Sequence, residues 1–180
     1  MELDDLKIYL PKFLSVQSEK LLFENLKDFP ENIDKRLYTT YVTDSNIIFQ
    51  GDGVKDLLIV NLPDNKVRNV KSMVFSNTCD VDPQNIRNFP SQIVYAPIFS
   101  LKKYEQSLIR NSTKKVQQIN SHIDAIKKQK ITQIFYLPSI DRILEESIVF
   151  FDRVNNCPID LMKGKNMKNE RIFTLSNYGA

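Results

Sequence analysis

At 180 residues, with 42% hydrophobic and 26% charged side chains, the chain has the make-up of one soluble globular domain large enough to bury a core. Its formal net charge of +3 is too small to demand a polyanionic partner by itself, and no apolar run approaches the roughly 20 residues that cross a membrane. Its two cysteines, Cys79 and Cys157, lack a Cys or His at ligand spacing, which argues against a structural zinc site, and both thiols are expected free.

The start, Met1-Glu2-Leu3-Asp4-Asp5, is acidic where a secretory leader is basic, so a cytoplasmic protein is expected. Leu3, Leu6, Leu10, Phe13 and Leu14 then mark an apolar face at helical spacing, interrupted by Pro11. Ser18 has the chemistry of an N-cap, and Leu21, Leu22 and Leu26 predict a helix over about 18–28 that Phe29-Pro30 ends. Tyr38-Thr39-Thr40-Tyr41-Val42 favours extended chain, and residues 1–45 form the N-terminal segment of a single domain.

From residue 46 the pattern shortens. Ile47–Gln50, Leu57–Leu62 and Ser72–Ser76 are short strand candidates, and the first two close on Gly51-Asp52-Gly53 and Pro63-Asp64-Asn65. No Gly-Lys-Ser/Thr follows the paired glycines, so they predict a tight turn and not a phosphate loop. Gln92–Ala96 is a further strand. Between 101 and 130 the period changes: Leu101, Tyr104, Leu108, Val116, Ile119, Ile123 and Ile126 step by three and four, which fits one long helix or two in sequence, Asn111-Ser112-Thr113 being the residues that can break it. This insertion carries Lys102, Lys103, Arg110, Lys114, Lys115, Lys127, Lys128 and Lys130 against Glu105 and Asp124, which suits either a solvated face or an arm that contacts phosphates. Residues 131–137, 147–152 and 171–175 complete the strands, the second of them apolar enough to be central.

Chemistry is expected where the strand ending Val74-Phe75 opens onto Ser76-Asn77-Thr78-Cys79-Asp80, a loop of donors, acceptors, a thiol and a carboxylate. Cys79 as nucleophile with His122 as base is one reading. Mg²⁺ held by Asp80 and Asp82, with Asp52, is another, and a turn capped by Asn77 or Asp80 is the plain structural one.

Gly51-Asp52, Val74-Phe75-Ser76-Asn77, Ala96-Pro97-Ile98-Phe99-Ser100, Phe150-Phe151-Asp152-Arg153 and Pro158-Ile159-Asp160 follow one another in the order of the motifs of the PemK/MazF toxin ribonucleases. Over residues 46–100 and 147–175 the chain resembles that family. The resemblance implies an α+β fold: a small SH3-like antiparallel β-barrel of strands from 46–100 and 131–175, with the N-terminal helical segment and the long basic helical insertion of 101–130 added. It implies a metal-independent endoribonuclease without a cofactor, or a degenerate relative that keeps RNA binding alone. Where the family has Arg-Pro this chain has Val70-Lys71, with Arg68 nearby, and Phe99 replaces the Thr of its Pro-Ile-Thr motif, leaving Ser100 as the hydroxyl.

Metal-free RNA cleavage needs a base for the 2′-OH, a cation for the phosphorane oxygens and an acid for the leaving oxygen. By this analogy Lys71 or Arg68 supplies the charge and Asp80 or Asp152 the base, with Arg68, Ser76, Asn77, Thr78, Ser100, Lys114 and Lys115 against the RNA; Cys79 belongs to the separate thiol reading. The alternative is a non-catalytic module that binds a protein or small ligand through Ser76–Asp82, with a Val116–Ile126 seam that suits packing on a second chain or copy as readily as on its own barrel.

Overall fold

The computed structural model describes residues 15–17, 20, 23–24, 30, 33–42, 46–82, 84–85, 88–176 and 179. The apolar face of Leu3–Leu14 lies outside these, as does most of the helix predicted over 18–28.

The Gly51-Asp52-Gly53 turn is where the fold is tied. Asp52 is fully buried, and its carboxylate takes the guanidinium of Arg171 (Nε 3.1 Å, Nη2 3.0 Å), the hydroxyl of Thr174 (2.5 Å) and the backbone N–H of Phe49 (2.9 Å). Arg171 also donates to the carbonyls of Val42 and Ile47, so four further donors and acceptors close on one buried pair. Both flanking glycines serve this node. Gly51 sits at φ +82°, and a Cβ on Gly53 would lie 2.4 Å from the ring of Phe173.

Around it, a short helix α1 (Ile33–Arg36) and β1 (Tyr38–Thr39) lead to the long hairpin β2 (Gly53–Asn61) and β3 (Asp64–Val74). One helical turn, α2 (Thr78–Val81), precedes β4 (Gln92–Ser100), then helices α3 (Leu101–Asn111) and α4 (Val116–Lys127). Strands β5 (Ile134–Leu137), β6 (Ser147–Phe150) and β7 (Asn155–Pro158), a 3₁₀ turn (Ile159–Met162), α5 (Met167–Glu170) and β8 (Arg171–Leu175) follow. The eight strands pair antiparallel in the order β1-β8-β2-β3-β4-β6-β5, with β7 also on β4. The fold is therefore mixed helix and open sheet.

The expected barrel closure is not made by any ladder among the described residues. β4 divides one edge between β7 (Gln92–Tyr95) and β6 (Ile98–Ser100) and gives the other to β3. Asp56, at φ +53°, is an extra residue in β2 that bends the hairpin. The bent hairpin reaches β7 through the Val60 N–H, which donates to Asn155 Oδ1 (2.9 Å), while the buried Tyr95 hydroxyl donates to the Leu58 carbonyl. At the far end, β5 is flanked by Gln129, whose side-chain amide donates to the Tyr136 carbonyl (2.9 Å) and accepts from its N–H (3.1 Å).

The insertion is two helices, broken after Asn111. Ser100 caps α3 by accepting from the Lys103 N–H (3.4 Å). Ile119, Ile123 and Ile126 of α4 are buried with Leu101 against Ile134, Tyr136 and Ile148, so of the two packings open to the seam it takes its own sheet; Val116, 62% exposed, stays out. Ile47–Gln50 is a loop and not a strand, its Ile47 carbonyl and Phe49 N–H being drawn into the Asp52 node.

Removing one partner of the buried pair leaves the other charged and unpaired. Asp52→Ala is expected to lower unfolding stability by about 3–5 kcal/mol in urea titration. The hydroxyl of Ser72, buried in β3 without a hydrogen bond, provides the contrast: Ser72→Ala should leave stability unchanged or raised.

Candidate nucleic-acid interface

Alternation along β3 decides which cation reaches the site. Ile59 pairs with Arg68, Leu57 with Val70 and Val54 with Ser72, and the extra residue at this end belongs to β2, so β3 alternates regularly from 68 to 74. Arg68 thus shares a face with Val70, Ser72 and Val74, and Lys71 stands on the opposite face, exposed. Arg68 and Lys71, the two cations the resemblance offers, therefore lie on opposite faces of β3.

Between the outer half of the β2–β3 hairpin and the turn joining β6 to β7 lies a cleft of about 360 Å³, lined among others by Lys66, Arg68, Pro97, Phe99, Asp152 and Arg153. Asp152 and Arg68, both expected at the site, meet here. Lys66 and Arg153 are additions the motifs did not single out, although Arg153 directly follows the Asp that the resemblance carries over. Asp64 completes the charged set and is already paired to Arg68 at 2.9 Å, an exposed pair worth roughly 0–1 kcal/mol. Three cations therefore face two carboxylates, one of them spent.

A partly exposed aromatic group borders the cleft. The Arg153 guanidinium lies 4.3 Å from the centroid of Phe150 and 5.3 Å from that of Phe99, and these rings meet edge-on at 5.6 Å. Tyr104 of α3 lies edge-on to Phe150 at 5.7 Å, and its hydroxyl is 3.1 Å from His122 Nε2 on α4. Burial pushes the Tyr104 hydroxyl up, partly opposed by the charge of Arg153. Burial, then the charge of Lys114, holds His122 below its ordinary value, so the ring is neutral at pH 7.

The Ser76–Asp80 loop lies elsewhere, and its polar atoms serve the backbone. Ser76 Oγ accepts from the Val94 N–H (2.7 Å), Asn77 Oδ1 from the Cys79 N–H (2.9 Å) and Thr78 Oγ1 from the Gln50 N–H (3.0 Å). Asn77 is thus the cap that the capped-turn reading named, and Asp82 Oδ1, which it did not name, accepts in the same way from the Gln84 N–H (2.9 Å). Asp80 and Cys79 are exposed on α2 and do not line the cleft. Asp52 is committed to Arg171 and is not available to join Asp80 and Asp82 around Mg²⁺. His122 pairs with Tyr104, within the α3–α4 pair, so no Cys79–His122 couple forms. Ser100 is a helix cap, and Lys114 and Lys115 are exposed at the α3–α4 junction, outside the cleft.

A second cavity, of about 630 Å³, has a floor of Ile48, Val81, Met162 and Met167 and a rim that includes Asp82 and Lys165. No protein-family model, curated protein or solved structure matches this chain. Among the described residues, no helix is long and apolar enough to cross a membrane.

The two thiols are expected to separate in reactivity. Cys79 is exposed, whereas Cys157 is 8% exposed and burial pushes its thiol up, with the Tyr95 hydroxyl and Lys165 pulling part of the way back. A maleimide at neutral pH should therefore label one thiol in the native protein and the second only after denaturation; equal labelling of both would contradict this packing.

Proposed function

We propose that the chain is an RNA-acting domain of the PemK/MazF kind that binds single-stranded RNA in the cleft between the β2–β3 hairpin and the β6–β7 turn. The observation that carries this reading is the meeting of Arg68 with Asp152, joined by Lys66, Arg153 and Phe99, in one cleft. Cations neutralise phosphates, and a half-exposed aromatic gives unstacked bases a surface. The open sheet is then a small barrel that has lost its closing ladder, with the helical insertion lodged on β5 and β6.

Binding is better supported than cleavage. Asp152 is placed to act as a base and Arg68 to face a phosphate, but both are exposed, on a turn and a hairpin strand, and catalysis needs such groups held in place. Cleavage at Asp152 is therefore secondary to binding.

Fluorescence anisotropy with a labelled single-stranded RNA tests the reading. If Lys66, Arg68 and Arg153 each neutralise a phosphate, the logarithm of affinity should fall against that of salt with a slope of about −2. Lys66→Ala with Arg68→Ala should flatten the slope to about a third of that value. Any cleavage products should vanish in Asp152→Asn. Absence of both salt-sensitive binding and cleavage removes the proposal.

The 630 Å³ cavity favours a second reading, a small-ligand module that includes Asp82 at the end of the Ser76–Asp82 loop. Its apolar floor beside Lys165 suits a small amphipathic acid. Such compounds should raise the melting temperature of the native chain and lose that effect in Lys165→Ala; a screen in which none raises it counts against this reading.

A further inference from the structure

Of the cleft's cations, Arg153 is the one whose guanidinium rests on aromatic rings. Phe150 supports it at 4.3 Å and Phe99 at 5.3 Å, and Phe150 is itself braced by Tyr104. The residue is exposed, and among the described residues its side chain makes no hydrogen bond and no ion pair. Its backbone N–H bonds the Phe150 carbonyl at 3.2 Å, which fixes the turn that carries it. The cation thus rests against two rings while the residue as a whole stays exposed to solvent.

A guanidinium fixed this way loses little rotamer freedom when something binds it. A carboxylate uses only the N–H edge of a guanidinium. A nucleotide uses plane and edge together, a base on the one and a phosphate at the other, and Lys66 and Arg68 lie along the same cleft for its neighbours. We infer that Arg153 is a stacking shelf for one unpaired base of RNA bound in this cleft. The inference rests on the RNA reading above and adds to it a basis for selecting single strands, because bases in a duplex are hidden within their own stack. Arg153 is a positioning and specificity residue here, with no step of bond making assigned to it.

Three labelled probes of equal length test it by anisotropy at fixed salt: an adenylate oligomer, a ribose-phosphate oligomer without bases, and an RNA duplex. The native chain should bind the adenylate oligomer about tenfold tighter than the abasic one, the scale of a single stacked base. Arg153→Lys keeps the charge and removes the plane, so the ratio of adenylate to abasic affinity should fall to about one. Phe150→Leu should lose the same preference, with its thermal melt confirming that it folds. If the native chain binds both single strands equally, or if Arg153→Lys keeps the preference, the shelf is wrong, while salt-sensitive binding of the abasic oligomer leaves the phosphate-binding cleft standing. A duplex bound as tightly as the adenylate oligomer also overturns the shelf. If none of the probes binds at any salt, the RNA reading fails and the shelf with it.

Discussion

The Asp52–Arg171 pair is the constraint from which the rest of the architecture follows. A carboxylate with no exposed surface must be matched by donors at every turn, and the chain supplies them from Arg171 and Thr174 of β8 and from the loop preceding β2. The backbone around Asp52 is equally committed: its carbonyl accepts from the Val74 N–H at 2.8 Å, and the Gly51 N–H donates to the Val74 carbonyl at 2.9 Å. The end of β3, the start of β2 and the C-terminal strand are therefore pinned at one point. The hairpin extending from that point is free to bend, and its outer half forms one wall of the cleft.

Much of this was legible in the sequence, and the parts that were not have identifiable causes. Period-three-and-four spacing placed the helices of the insertion because both bury one stripe on a sheet. Arg171–Leu175 read as a strand and is one. β7 was invisible: Asn155-Asn156-Cys157-Pro158 has no strand composition and is extended because β4 offers it a ladder. Pro97 looked like a strand end, yet it lies inside β4, just before that strand changes partner from β7 to β6.

The candidate site was legible in one half only. Asp152 and Arg68 came from motif order and proximity, and they do share a cleft. Lys71 lies on the other face of β3 from Arg68, a matter of strand parity that no composition reveals. The polar run Ser76–Asp80 is a different case: small polar residues that can do chemistry are the same residues that cap turns, and here the backbone N–H groups of Gln50, Cys79 and Val94 claim them first. Phe99, where the resembled family has Thr, departs from its motif and is also part of the support beneath Arg153. The insertion is tied to that support as well, through Tyr104 and His122.

The amide of Gln129 beside Tyr136 has a consequence for how copies of this protein meet. A terminal strand presents unpaired backbone groups that attract another extended chain, and β5, with its apolar sequence Ile-Phe-Tyr-Leu, is the kind of edge on which sheets grow. Gln129 supplies one donor and one acceptor in the geometry of a neighbouring peptide group and occupies the position a second strand needs. A single side chain thus acts as a one-residue counterfeit strand, and an incoming chain must first displace it before the sheet can continue from one molecule into the next.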